Sequence, residues 1–246
     1  MNIIGIIPAR YASTRFPGKP LAIINGKSMI QRVYEQVSLA KTISEIMVAT
    51  DDDRIASHVK SFGGNVCMTS QNHNSGTERC YEVLTSLNEK KIDVVVNIQG
   101  DEPYINPAQI DALADCFTNP EIEIATLIKK IHQYEDLINP NIVKVITDIH
   151  QKAIYFSRLP LPYKRGTNQH EWLNKNDYYK HIGIYAYRTV VLKNIVGLPQ
   201  SRLEKSESLE QLRWIENGYA IYTAITEFES IAVDTPEDLI KLTNTI

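Results

Sequence analysis

From Ile3 to Pro8 the chain carries a short run of branched apolar residues, and beyond a polar loop the spacing turns helical, with Ile30, Val33 and Val37 on one face. Ser28 stands where a helix cap belongs. Glu45 to Thr50 returns as a strand, Asp51 or Asp52 opens a second helix striped by Ile55, Val59 and Phe62, and Gly63-Gly64 stops it. Val66 to Met68 and a helix from about Thr77 to Leu87 form a third unit. They lead into the strongest strand pattern of the chain, Asp93 to Gln99, whose near-continuous β-branched character predicts burial on both faces. Strands alternating with helices predict an α/β fold with a mainly parallel sheet flanked by helices. Gly100-Asp101-Glu102-Pro103 then falls at the carboxyl edge, where open sheets of this kind bind ligands.

Past Pro120 the predicted strands shorten, at Ile122 to Lys129, Val143 to Thr147 and Tyr179 to Tyr187, around a polar stretch from Leu161 to Asp177 that reads as an arm or lid. A helix around Leu209 to Glu216, a strand from Tyr219 to Thr226 and a terminal helix led by Pro236 close the pattern. No repeat or low-complexity segment marks a linker. One domain over residues 1–246 is expected, with a smaller β-rich insertion within about 122–196. A chain of 246 residues, 43% hydrophobic, can build a core of that size. The net charge of −3 supplies no basic field, so nucleic acid is not an expected partner and any anion site must be local. Cys67, Cys80 and Cys116 form no CxxC pair, against both a zinc module and a disulfide framework. The opening apolar run is far short of the roughly 20 residues that span a bilayer. A cytoplasmic protein with no membrane partner is expected.

The loop after the first strand, Pro8-Ala9-Arg10-Tyr11-Ala12-Ser13-Thr14-Arg15-Phe16-Pro17-Gly18-Lys19-Pro20, gathers three cations (Arg10, Arg15, Lys19), two hydroxyls and a glycine. Polyphosphate calls for that mixture of fixed positive charge and hydrogen-bond donors. Neither a GxGxxG nor a GxxxxGK[ST] pattern is present, so the dinucleotide and P-loop readings fail. A plain solvated loop is the competing explanation.

"IIPARYASTRFPGKPL" resembles the signature of the CMP-KDO synthetases, and the likeness continues through "MTSQNHNSGTER", "VVVNIQGDEP", "FSRLPLP", "HIGIYAY", "LEQLR" and "VDTPEDL", in the family's order from Ile6 to Leu239. The resemblance implies a Rossmann-like nucleotidyltransferase that activates the sugar acid KDO (3-deoxy-manno-octulosonate) with CTP, releasing pyrophosphate in support of lipopolysaccharide synthesis. It places Arg10, Arg15 and Lys19 on the CTP phosphates, with Ser75 and Arg79 also toward the nucleotide. Ser75 is equally explained as a helix cap with Glu78 in the first turn. Asp101 and Asp234 are paired by the resemblance as ligands of Mg2+, the expected cofactor, although Asp101 also reads as a turn residue and Asp234 as a cap before Pro236. Gln99, Arg158, His181, Tyr185, Glu210 and Gln211 match the family's sugar-acid contacts and supply an arginine, neutral donors and an acceptor for hydroxyls. A buried core role for His181 and a solvated helix face for Glu210 are the plainer readings.

Three stretches depart from the family pattern, one of them Tyr163 to Asp177, which matches nothing in it. Leu161-Pro162 replaces an Ile-Pro, and the approach to the last aspartate reads Glu229-Ser230-Ile231-Ala232 where a glycine-containing run is usual. Such differences leave open an 8-amino variant of the sugar. A CMP-sialic acid synthetase and a non-catalytic nucleotide-binding module are the rival readings. A glycosyltransferase lacks its DxD motif, since Asp51 to Asp53 reads as a helix start. The family also implies a homodimer formed through about Ile122 to Val196, where Tyr155, Phe156, Tyr163, Trp172, Tyr178 and Tyr179 suit either an interface or a core.

Overall fold

The computed structural model describes residues 1–12, 15–87, 91–229 and 231–245. The hydroxyls of Ser13 and Thr14 and the Ser230 of the last approach lie outside the described residues.

The first apolar run forms β1 (Ile3–Ala9), followed by a small hairpin of β2 (Ile23–Ile24) and β3 (Lys27–Ser28) and then α1 (Met29–Ser38). Ser28 caps α1 by accepting from the Gln31 amide, and Ile30, Val33 and Val37 are buried as their spacing requires. β4 (Glu45–Thr50), α2 (Asp53–Ser61) capped by Asp52, β5 (Val66–Met68), α3 (Gly76–Ser86) and β6 (Val94–Asn97) complete the alternating half. Every residue of β6 is buried, which is why its sequence is apolar without alternation.

The second half contains α4 (Pro107–Asp115), β7 (Ile124–Lys130), α5 (Tyr134–Ile138), β8 (Lys144–Thr147), β9 (Ala153–Ser157) and α6 (Trp172–Lys175). β10 (Tyr179–Arg188), α7 (Thr189–Val196), α8 (Arg202–Glu207), α9 (Gln211–Glu216), β11 (Ile221–Ile225) and α10 (Pro236–Thr245) follow. The main sheet runs β11-β7-β10-β6-β1-β4-β5, with β8 and β9 attached beside β10. Its strands are parallel except β10, which opposes both β6 and β7. α1, α2 and α4 bury their apolar faces on one side of the sheet and α3, α7 and α9 on the other.

β7 and β10 are interior strands of the main sheet, while β8 and β9 extend from it. Of the aromatic residues in that region, Phe156, Trp172 and Tyr178 are buried and Tyr163 is exposed. β9 escaped the sequence reading because its five residues carry no alternation: Ile154 is exposed while Phe156 and Ser157 are both buried. Residues 231–233, leading to Asp234, form no strand despite their β-rich composition.

This topology fixes the site. From β1 the chain moves outward to β4 and β5, then returns to β6 on the other side of β1. The loops leaving β1 and β6 therefore diverge and leave a crevice between their carboxyl ends. Gly100 lets the two approach: a Cβ there would lie 2.6 Å from the Pro8 carbonyl oxygen. Gly100→Ala is expected to lower unfolding stability by about 1–3 kcal/mol as the backbones are forced apart, measured as a shifted urea midpoint. An unchanged midpoint would contradict the close approach.

Candidate active site at the carboxyl edge of the sheet

The loop after β1 turns at Gly18, whose φ of 74° is left-handed and whose amide donates to the Tyr11 carbonyl at 2.9 Å. That turn aims Lys19 beneath the end of β6. Its ammonium lies 2.8 Å from Asp101 Oδ2 and 3.4 Å from Asp234 Oδ1, and Arg15 reaches Asp234 at 3.1 Å. The two aspartates, far apart in the sequence, are thus brought to one point. A backbone bond holds them there, the Val233 amide donating to the Asp101 carbonyl at 2.9 Å. Val233 itself is buried with Ile24, Met29 and Leu242.

The reading of Asp234 as the cap of α10 gives way to a different arrangement. Thr235 Oγ1 accepts from the Asp238 amide at 3.3 Å while Asp238 Oδ2 accepts from the Thr235 amide at 3.0 Å. This reciprocal pair caps the helix and leaves the Asp234 carboxylate to Lys19 and Arg15. Asp101 likewise directs its carboxylate at Lys19 instead of its own turn. Two carboxylates facing one cation, next to a basic loop, form the hard-oxygen donor set that suits Mg2+ when substrate phosphates complete it. Among the described residues no group of three or more His, Cys, Asp or Glu side chains could hold a metal by itself.

Arg10, Lys19, Gln99 and Asp101 line a cleft of about 250 Å³. Arg10 donates to the His73 carbonyl, joining the phosphate loop to the segment before α3. Burial pushes the Arg10 guanidinium below its ordinary value and the neighbouring Arg79 adds to the effect. Ser75 caps α3, its hydroxyl accepting from the Glu78 amide at 3.2 Å. The Arg79 side chain is fully buried, bonded to Thr69 and, at 2.8 Å, to Asp51. Its long apolar stem and single charge fit a wall that fixes Asp51 beside Arg10. The segment before α3 is further pinned by Glu82, which takes both His73 and the Ser70 amide, and by Glu78, which takes the Asn74 amide.

Gln99 separates this cleft from a second one of about 430 Å³ lined by Glu102, Asn141, Val143, His181 and Gly183. It donates to the Gly183 carbonyl at 2.9 Å, so β6 and β10 are joined just beyond their ladder. His181 bonds Thr126 at 2.9 Å, and its ring lies 5.2 Å from those of Tyr185 and Phe156. Glu210 accepts from Thr77 at 3.0 Å and burial raises its carboxyl above the usual range, which removes it from a solvated helix face. Gln211 is buried next to it at the start of α9. The Arg158 guanidinium donates to the carbonyls of Glu207, Pro140 and Ser208, with one N–H on each terminal nitrogen left over. Glu207 holds this corner through Ser157 and the Arg158 amide. Thr126, Glu82 and Glu207 stand outside the quoted motifs, since each acts through a contact made only by folding.

Burial pushes His181 down to about 3, so the folded protein holds it neutral where the unfolded chain, near the ordinary value of about 6.5, becomes charged. Protons then favour the unfolded state increasingly as pH falls below that value. Thermal or urea unfolding is expected to show His181→Asn losing less stability than the parent between pH 6.5 and 4.5. Parallel pH profiles would contradict this placement of His181.

The Cytidylyltransferase family matches this chain over residues 4–231. A 3-deoxy-manno-octulosonate cytidylyltransferase of Parabacteroides distasonis is 57% identical over 98% of this chain and 96% of its own length. One of Cytophaga hutchinsonii is 54% identical over 100% and 98%. The structure of a CMP:2-keto-3-deoxy-manno-octonic acid synthetase complexed with CTP superposes with a TM-score of 0.92 at 42% identity, covering 100% of this chain and 98% of that one. A 4-diphosphocytidyl-2C-methyl-D-erythritol synthase from Anaerococcus prevotii, at a TM-score of 0.65 and 15% identity over 99% of this chain and 97% of that one, shares the fold alone. With the basic loop, the paired aspartates and these full-length matches agreeing, the chain belongs to the cytidylyltransferase family, among its 3-deoxy-manno-octulosonate cytidylyltransferases.

Proposed function

We propose that this enzyme transfers CMP from CTP to the anomeric hydroxyl of KDO, giving CMP-KDO and pyrophosphate, with Mg2+ as cofactor. The observation that carries the reading is the meeting of Lys19, Asp101 and Asp234 at the switch point of the sheet. In the reaction the sugar oxygen bonds to the α-phosphorus, the bond from that phosphorus to the bridging oxygen of the β-phosphate breaks, and the hydroxyl proton passes to solvent. Arg10, Arg15 and Lys19 supply positive charge to the triphosphate and the departing pyrophosphate. Asp101 and Asp234 hold the cation, whose chemistry when bound is to neutralise phosphate charge and orient the attacked phosphorus. No side-chain nucleophile is required, so positioning and electrostatics account for the rate. Gln99, His181, Tyr185 and Glu210 face the sugar acid as neutral or acceptor groups. Cytoplasmic location, a place in lipopolysaccharide synthesis and a homodimer belong to the same proposal.

Pyrophosphate release is expected to require CTP together with a KDO-type acid, and faster release with sialic acid would overturn the substrate assignment. Asp101→Asn and Asp234→Asn are each expected to lower kcat by roughly a thousandfold. The double variant should be little worse than either, because groups that act as a unit are not additive. Near-normal turnover in both single variants, with circular dichroism unchanged, would remove the metal role. Light scattering should give twice the 27.9 kDa of one chain, and a monomeric mass would refute the dimer.

A further inference from the structure

The approach to Asp234 places an acid at residue 229, and the sheet explains what that acid meets. Lys129 on β7 and Lys180 on β10 are direct cross-strand partners. Like charges opposed in this way destabilise a sheet. Both are largely shielded from water, with side-chain exposures of 16% and 11%, so screening by solvent cannot remove the repulsion. Glu229 resolves it with one oxygen for each lysine, Oε1 at 2.6 Å from Lys180 and Oε2 at 2.8 Å from Lys129. Asp136 on α5 adds a longer contact to Lys180 at 3.2 Å. Burial alone would push Lys180 down and Glu229 up, yet their mutual bonds hold the lysine above and the carboxyl below their ordinary values.

Glu229 sits between two other anchors of the same segment. Upstream, the Thr226 amide donates to the Ile128 carbonyl at 2.9 Å and ends the β11 ladder. Downstream, the Val233 amide reaches the Asp101 carbonyl, and the next residue is Asp234. The glutamate also lines the cleft shared by His181 and Gly183.

We propose that Glu229 is a positioning residue: its bridge between Lys129 and Lys180 holds the chain that carries Val233 and Asp234 onto the sheet, and so keeps Asp234 within reach of Lys19. The catalytic consequence rests on the function proposed above; the structural one does not. Glu229→Gln keeps the shape but leaves the two lysines opposed.

The test uses amide hydrogen exchange in the intact protein without substrate or metal. Exchange at Val233 is expected to quicken about tenfold in Glu229→Gln through local opening, with the Ile98 amide, bonded to Ile6 within the core, unchanged. Lys129→Met combined with Glu229→Gln should restore part of the protection, because it removes one of the opposed charges; a role in packing alone gives no such rescue. With CTP present, affinity for Mn2+ should fall about tenfold in Glu229→Gln but not when Asp234→Asn is already in place. Unchanged exchange at Val233, no rescue by the double variant, or an equal loss of Mn2+ affinity with Asp234→Asn present would each overturn the proposal. An inactive parent enzyme with normal exchange behaviour would instead refute the proposed reaction and leave the bridge standing.

Discussion

Lys19 stands between two carboxylates that would repel each other if left alone, and its ammonium is what allows Asp101 and Asp234 to share one corner of the fold. Much else is arranged to permit that meeting. Gly18 turns the loop so that the lysine arrives from below, Gly100 lets the end of β6 close on β1, and the Val233 amide fastens the C-terminal segment to Asp101. The same convergence is useful for chemistry on a triphosphate, because charge moves toward the leaving pyrophosphate and fixed cations are already in place.

The N-terminal half was legible from sequence because local signals and tertiary demands agree there. Ser28 and Asp52 cap the helices that follow them, Gly63 ends α2 with a left-handed φ of 82°, and the apolar run of β6 is buried on both faces as its composition implies. The second half was less so. β9 mixes exposed and buried residues out of alternation, and the chain before Asp234 looks like a strand because Ile231 and Val233 are branched, yet only Val233 is buried. There the geometry comes from side-chain charge and one backbone bond, which no periodicity encodes.

The site divides in the same way. Asp101 and Asp234 could be paired from motif order, and folding brings them together. Arg79 and Arg158 sit in motifs just as clear, and each also bonds inside the protein, to Asp51 and Thr69 or to backbone carbonyls. A motif records that a residue belongs at a place; whether it touches a ligand or holds the residue that does depends on burial. Arginine is suited to both tasks because its planar fork can serve several acceptors at once. Glu229 illustrates the complementary case, an acid whose purpose is visible only once two lysines are seen across from each other.

The central claim is that Asp101 and Asp234 hold one metal ion beside the phosphate loop. Crystals grown with CTP and Mn2+ in place of Mg2+ would locate the ion directly through its anomalous scattering. The account predicts an anomalous peak at about 2.0–2.2 Å from carboxylate oxygens of both aspartates, with Lys19 turned toward phosphate. A CTP complex whose metal peaks touch neither Asp101 nor Asp234, with the Lys19 bridges intact, would contradict it.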